Sequence, residues 1–280
     1  MKEYTAVPFG TERYLLGEST RFDQRTGVLS FVDIIPGKCY LSTDGEHFTS
    51  YDFGQMIGAL VPAELPGTYY ACLTDGIYLF DTRFGNMSHR LLFDLKEVIE
   101  PWQRCNDADR DPMGRLYFGS HVWDDAHESK GNLYCLENGV VRILEKDTKI
   151  SNGLAWSRDH RRFFFSDTLE KAVFSYDYDE KTGNISGRKV LFPADPERGG
   201  LTDGMCIDSQ DRLWVAYWGG ERIECRSTKD GSLLAEVRVP AQNVTSCCFA
   251  DKEEKRLFIT SSGDGLSGAY DGALFYADLD

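Results

Sequence analysis

Four short stretches of this chain follow one plan: a polar residue, an apolar run, a turn that opens five residues after the polar one, and a second apolar run. Glu18, Asn106, Asn152 and Asp203 are the polar residues, and Asp23, Asp111, Ser157 and Asp208 open the turns. In residues 201–220 the apolar Met205-Cys206-Ile207 leads into the polar Asp208-Ser209-Gln210-Asp211. Leu213-Trp214-Val215-Ala216-Tyr217-Trp218 follows with the composition of a strand. Each stretch reads as a β-hairpin with a polar side chain set ahead of it, in a register that does not drift. The turn openers lie 88, 46 and 51 residues apart, and 88 is close to two units of 44, so a weaker unit is expected in the gap. Residues 62–67 with Thr68-Tyr69-Tyr70-Ala71 supply it, and residues 247–254 with Leu257-Phe258-Ile259-Thr260 supply another at the end. That makes six units.

Further strands complete each unit. Asp44-Gly45 separates two runs in the first, and Asn138-Gly139 between Leu133-Tyr134-Cys135-Leu136 and Val140-Val141-Arg142-Ile143-Leu144 is a strong hairpin signal in the third. Helix is scarce, since residues 95–99 manage one turn before Pro101 stops it. Six four-stranded antiparallel units of 40 to 50 residues are the signature of an all-β, six-bladed β-propeller occupying residues 1–280 as a single domain. Strand candidates at Thr5-Ala6-Val7 and Tyr14-Leu15-Leu16 are expected to close the ring by adding a strand to the last blade. A β-sandwich with an extra sheet competes, but it does not predict a fixed register.

A formal charge of −14, from 45 acidic and 31 basic residues, argues against nucleic acid and anionic membranes as partners, because those reward clustered Lys and Arg. No run is long enough to cross a bilayer and the N-terminus lacks the apolar core of a signal peptide, so the expected location is cytoplasmic, as a monomer or weak homodimer. The eight Cys are scattered without a CxxC pair, which points to buried thiols rather than a zinc or dithiol site.

In a propeller the innermost strands begin around one mouth of the central channel, so Glu18, Asn106, Asn152 and Asp203 should converge although up to 185 residues apart. Two carboxylates and two amides form an all-oxygen set suited to a hard divalent cation such as Ca²⁺, Mg²⁺ or Mn²⁺, while Zn²⁺ also accepts carboxylate oxygen. Singly, Asn106, Asn152 and Asp203 are equally compatible with holding turns through side-chain-to-backbone bonds. Glu18, in Gly17-Glu18-Ser19, has no such turn signature.

The ordered segments Leu16-Gly17-Glu18-Ser19, Arg104-Cys105-Asn106-Asp107, Ser151-Asn152-Gly153-Leu154-Ala155-Trp156, Asp203-Gly204-Met205 and Leu213-Trp214-Val215-Ala216-Tyr217-Trp218-Gly219-Gly220 resemble the senescence marker protein/gluconolactonase/luciferin-regenerating enzyme family, which includes regucalcin and sugar lactonases. The resemblance spans nearly the whole chain. It implies a metal held by Glu18, Asn152 and Asp203, with Asn106 as a fourth ligand in some members and Arg104 and Asn106 against the substrate. It further implies hydrolysis of an aldonolactone to the aldonic acid, with one divalent ion whose identity stays open among Ca, Mg, Mn, Zn and Fe. Two departures stand out: Thr202 where a Pro is usual before the Asp-Gly, and residues 120–128, where His121 and Trp123 give a substrate-facing loop an unusual character.

On this reading the ion polarises the lactone carbonyl, and Asp203 or a metal-bound hydroxide drives the attack of water. Arg104, Asn106, His121 and Trp123 are the expected substrate contacts, with His121 also weighed as an acid for the departing oxygen. A surface ion pair of Arg104 with Asp107 or Asp109 is the plainer account of that residue. Phe163, Phe164, Phe165, Trp214, Tyr217 and Trp218 read mostly as packing between blades. A broad esterase or organophosphate hydrolase, and a non-catalytic cation- or carbohydrate-binding propeller, are the alternatives.

Overall fold

Strands whose side chains are buried on both faces must lie inside, and strands exposed on one face must lie outside. The computed structural model, which describes residues 1–85, 87–124 and 126–279, follows that rule in every blade. Asp125 of the 120–128 segment lies outside the described residues. Six sheets radiate from a channel, and their innermost strands are Gly17–Asp23, Ile57–Pro62, Gln103–Arg110, Ser151–Trp156, Leu201–Ile207 and Asn243–Phe249. All six are almost wholly buried, whereas outer strands such as Ser88–Asp94 and Asn184–Pro193 are largely exposed. Consecutive strands pair antiparallel outward in each blade. The predicted six-bladed propeller is thus the observed fold. Among the described residues helix is limited to one 3₁₀ turn, Arg83–Gly85, and no helix is long and apolar enough to cross a membrane.

The core lies in the seams. Each of six buried clusters draws on two neighbouring blades, as where Val32, Ile34 and Phe53 of blade one meet Ile57, Leu60 and Phe80 of blade two. Because side chains alternate across a strand, Phe163 and Phe165 face the seam with blade three while Phe164 faces the seam with blade five. Cys247 and Cys248 divide between seams in the same way. All eight Cys are free thiols and seven are fully buried.

The turn openers lock the hairpins. Asp208 accepts the backbone N–H of Gln210 and of Arg212 at 2.9 Å each and pairs with the Arg212 guanidinium at 2.6 Å. Asp111 does the same for Met113 and Arg115. Asn138 and Gly139 both have φ above +50°, the primed turn that their sequence predicts.

Ring closure departs in part from expectation. Val7–Phe9 adds the outermost strand of blade six, pairing antiparallel with Leu274–Asp278. Lys2–Thr5, however, lies parallel on Leu233–Arg238 and makes blade five five-stranded. Residues 14–16 form no strand, only a single bridge from Leu16 to Ser262. The N-terminal segment therefore completes the last blade, as expected, and also staples blade five to it.

Candidate functional site

Every innermost strand carries a β-bulge at the same place. The register with the second strand slips between Glu18 and Arg21, Ile57 and Ala59, Cys105 and Ala108, Asn152 and Leu154, Thr202 and Met205, and Val244 and Ser246. A bulge re-aims one side chain out of the pleat. Glu18, Asn106, Asn152 and Asp203 occupy these positions, and all four line one cavity of about 310 Å³ together with Arg104 and His121. The bulge also demands unusual backbone. Ser19 sits at φ 50°, with its hydroxyl taking the Leu60 N–H at 3.2 Å, and Gly153 sits at φ 37° where a Cβ would meet the Asp203 carbonyl at 2.6 Å.

The polar floor is tied together before any ligand arrives. Arg104 donates to the Cys105 carbonyl at 2.8 Å and to Asn106 Oδ1 at 2.7 Å. Asn106 Nδ2 donates to the Ser151 carbonyl at 2.8 Å and to Asn152 Oδ1 at 2.7 Å, and Asn152 Nδ2 donates to Thr168 Oγ1 at 2.9 Å. Glu18 Oε2 accepts the N–H of Ser19 at 2.8 Å. Asp203 Oδ1 and His121 Nδ1 are the exceptions: both are buried and have no hydrogen-bond partner.

The electrostatics are those of acids crowded out of water. Burial raises the pKa of Glu18 to about 8, with Asp107 adding to the rise and the Ser19 N–H, Arg21 and Arg104 opposing it. Burial also lifts Asp203 well above the ordinary carboxylate range, helped by Glu18 and Asp107. Arg104 is lowered by burial to about 10, and His121 is lowered by burial and by Arg104 to about 3. His121 therefore presents a neutral imidazole, which argues against the acid role weighed for it.

These residues fit a hard cation. Two buried carboxylates that oppose each other's ionisation, one with an empty acceptor atom, lack a positive charge between them, and the amide oxygens of Asn106 and Asn152 each keep a lone pair. Among the described residues no three His, Cys, Asp or Glu side chains gather around one point, so the amides are needed to complete an oxygen shell.

Trp123 stands apart from the other predicted contacts: it is half exposed and does not line the cavity. Arg104 is buried, and Asp107 and Asp109 pair instead with Arg21, at 3.3 and 3.4 Å. Trp218, expected as packing, lines the mouth, as do Thr168, Leu169, Leu201 and Ile150. A pairing signal was available for Trp218. Strands in register place it opposite Leu201, two residues before Asp203. A larger cavity, about 380 Å³, opens toward the turn ends of the inner strands, but its Arg110, Arg158 and His160 are engaged by Glu64, Glu254 and Glu180.

Comparison with known proteins returns a match of residues 16–263 to the SMP-30/Gluconolactonase/LRE-like region. Regucalcin of Gallus gallus is 32% identical over 267 residues, covering 92% of this chain and 86% of that protein, and regucalcin of Danio rerio is 34% identical over 262 residues, covering 91% and 85%. Among solved structures, a luciferin-regenerating enzyme superposes with a TM-score of 0.90 at 27% identity, covering 99% of this chain and 95% of that one.

Proposed function

Because the chain belongs to the SMP-30/gluconolactonase/LRE-like family, we propose that it hydrolyses a sugar lactone to the open-chain acid with a divalent cation held by Glu18, Asn152 and Asp203 and flanked by Asn106. The observation that carries this reading is the buried, unpartnered Oδ1 of Asp203 beside a second buried carboxylate. When bound, the cation polarises the ester carbonyl and stabilises developing negative charge. Asp203 takes a proton from the attacking water through the oxygen left free. Collapse breaks the bond between the acyl carbon and the ring oxygen, and the same proton passes from Asp203 to that oxygen. Arg104, held in place by Asn106, faces the carbonyl side with its remaining N–H groups, and the neutral His121 orients a hydroxyl by hydrogen bonding.

A second reading, calcium binding without turnover, is supported by the regucalcin of Agrobacterium tumefaciens, a structural relative described as a calcium-binding protein. PH-stat assay of glucono-1,5-lactone separates the two. Turnover should vanish with a chelator and return with Ca²⁺, Mg²⁺ or Mn²⁺; tight cation binding with the lactone untouched would leave the second reading standing. Melting curves give a readout independent of activity. The folded chain without cation retains a proton on Glu18 up to about pH 8 that the unfolded chain releases in the ordinary carboxylate range. Its stability should therefore fall as pH rises across that window, and saturating Ca²⁺ should remove the fall. A flat melting temperature in chelator from pH 5 to 8 counts against the buried acid pair.

A further inference from the structure

Blade three supplies the polar wall of the site, through Arg104, Asn106 and His121, whereas the mouth above it is mostly apolar on the other sides, with the Thr168 hydroxyl of blade four among aliphatic and indole side chains. Leu16 and Ile34 come from blade one, Ile150 and Leu169 from blade four, and Leu201 and Trp218 from blade five. We propose that the substrate is a lactone carrying an apolar substituent, a methyl or short alkyl group in place of hydroxyls on the part of the ring remote from the carbonyl. This rests on the lactonase reading above and names the class of lactone that such a site takes.

Free hydrogen-bonding groups are few around this cavity. A fully hydroxylated hexonolactone brings four hydroxyls, each of which leaves water and needs a new partner. Asn106 Nδ2 is already engaged by the Ser151 carbonyl and Asn152, Asn152 Nδ2 by Thr168, and one Arg104 nitrogen by Cys105 and Asn106. What remains free on the blade-three side is the rest of the Arg104 fork and the Nδ1 of His121, which is buried without a partner. Those groups serve the ester and one or two neighbouring oxygens. Hydroxyls further out would meet Leu201, Leu169 and the ring of Trp218, with only the Thr168 hydroxyl and the Trp218 indole N–H in the lining to pair with them.

A hydroxyl buried there unpaired loses roughly tenfold in transition-state binding, and a methyl in its place gains from the same surface. Size agrees. At about 310 Å³ the cavity lies at the small end of the range for ligand sites, roughly 300–1,000 Å³, enough for one ring and a short substituent.

The test measures kcat/KM, with Ca²⁺ present, for glucono-1,5-lactone, a 6-deoxyhexono-1,5-lactone and a δ-alkyl δ-valerolactone. The deoxy and alkyl lactones should exceed the gluconolactone by about tenfold or more, as the unpaired-hydroxyl argument requires. A preference for gluconolactone, or equal values, overturns the inference while leaving the lactonase reading intact. If no lactone is turned over the lactonase reading fails, and calorimetric binding of the corresponding lactams, which resist hydrolysis, then decides the rim: the alkyl lactam must bind tighter than the hydroxylated one. Leu169→Asn, on an exposed rim position, should narrow the preference through KM. An unchanged ratio in that variant and in Leu201→Asn would show that the rim does not read the substituent.

Discussion

Blades one, three, four and five differ from blades two and six in one side chain each, at a position the backbone treats alike in all six. The same bulge recurs in every innermost strand, yet the residue five before the turn is Glu18, Asn106, Asn152 or Asp203 in four blades and Gly58 or Thr245 in the other two. Neither of the last two is an idle gap. Gly58 is there because a Cβ would strike the carbonyls of Asn106 and Cys105 at 2.3 Å each, so blade two gives up a side chain to let the blade-three strand approach. Thr245 turns its hydroxyl to the Gly17 carbonyl at 2.5 Å and to Thr260 at 2.9 Å, tying blade six to blade one. The contrast teaches that the repeat supplies six equivalent aiming points, four used for polar groups facing the cavity and two for holding the ring shut around them.

That contrast can be broken from either side. The largest effect is expected from Asp203→Asn, which should lower turnover by about a thousandfold. The same change should raise the melting temperature of the chelated protein, because a neutral amide no longer opposes the charge on Glu18; turnover at the parent rate would remove Asp203 from the mechanism. Gly58→Ala comes next. It adds one methyl against the backbone of the blade-three strand, and that clash should cost about 2 kcal/mol in denaturant unfolding and reduce activity by displacing Asn106. Normal stability in that variant would mean the close approach is not needed. Thr245→Val should do least, about 1 kcal/mol from two lost hydrogen bonds, with cation affinity and turnover at parent values. A large loss of cation affinity would make Thr245 a fifth member of the site.

Comparing the two ends of the channel extends the lesson. Below the floor, Arg21 reaches from blade one to the Ala108 carbonyl at 2.6 Å and pairs with Asp107 and Asp109, a built-in positive charge at that level. Above it, Glu18 and Asp203 have Arg104 alongside, itself lowered by burial and hydrogen-bonded elsewhere. Acids of the innermost strands are thus paired with an arginine at one level, while at the next no salt bridge joins Glu18 or Asp203 to Arg104.

Much of this was legible in the chain alone because it is periodic. A polar residue at a constant offset from a turn survives as a signal over nearly two hundred residues, and equivalent offsets in equivalent strands must meet wherever the strands do. The seam packing of Phe163, Phe164 and Phe165 followed from alternation, and the primed turn at Asn138-Gly139 from its residues. Neighbour relations between blades have no such period. Whether Trp218 covers a seam or the mouth, whether Trp123 reaches the cavity, why blade two bears a glycine and where Lys2–Thr5 attaches all depend on contacts between residues unrelated by any repeat. The depth of burial that raises Glu18 and Asp203 and keeps His121 neutral is likewise a sum over every atom that excludes water, and only the closed ring determines that sum.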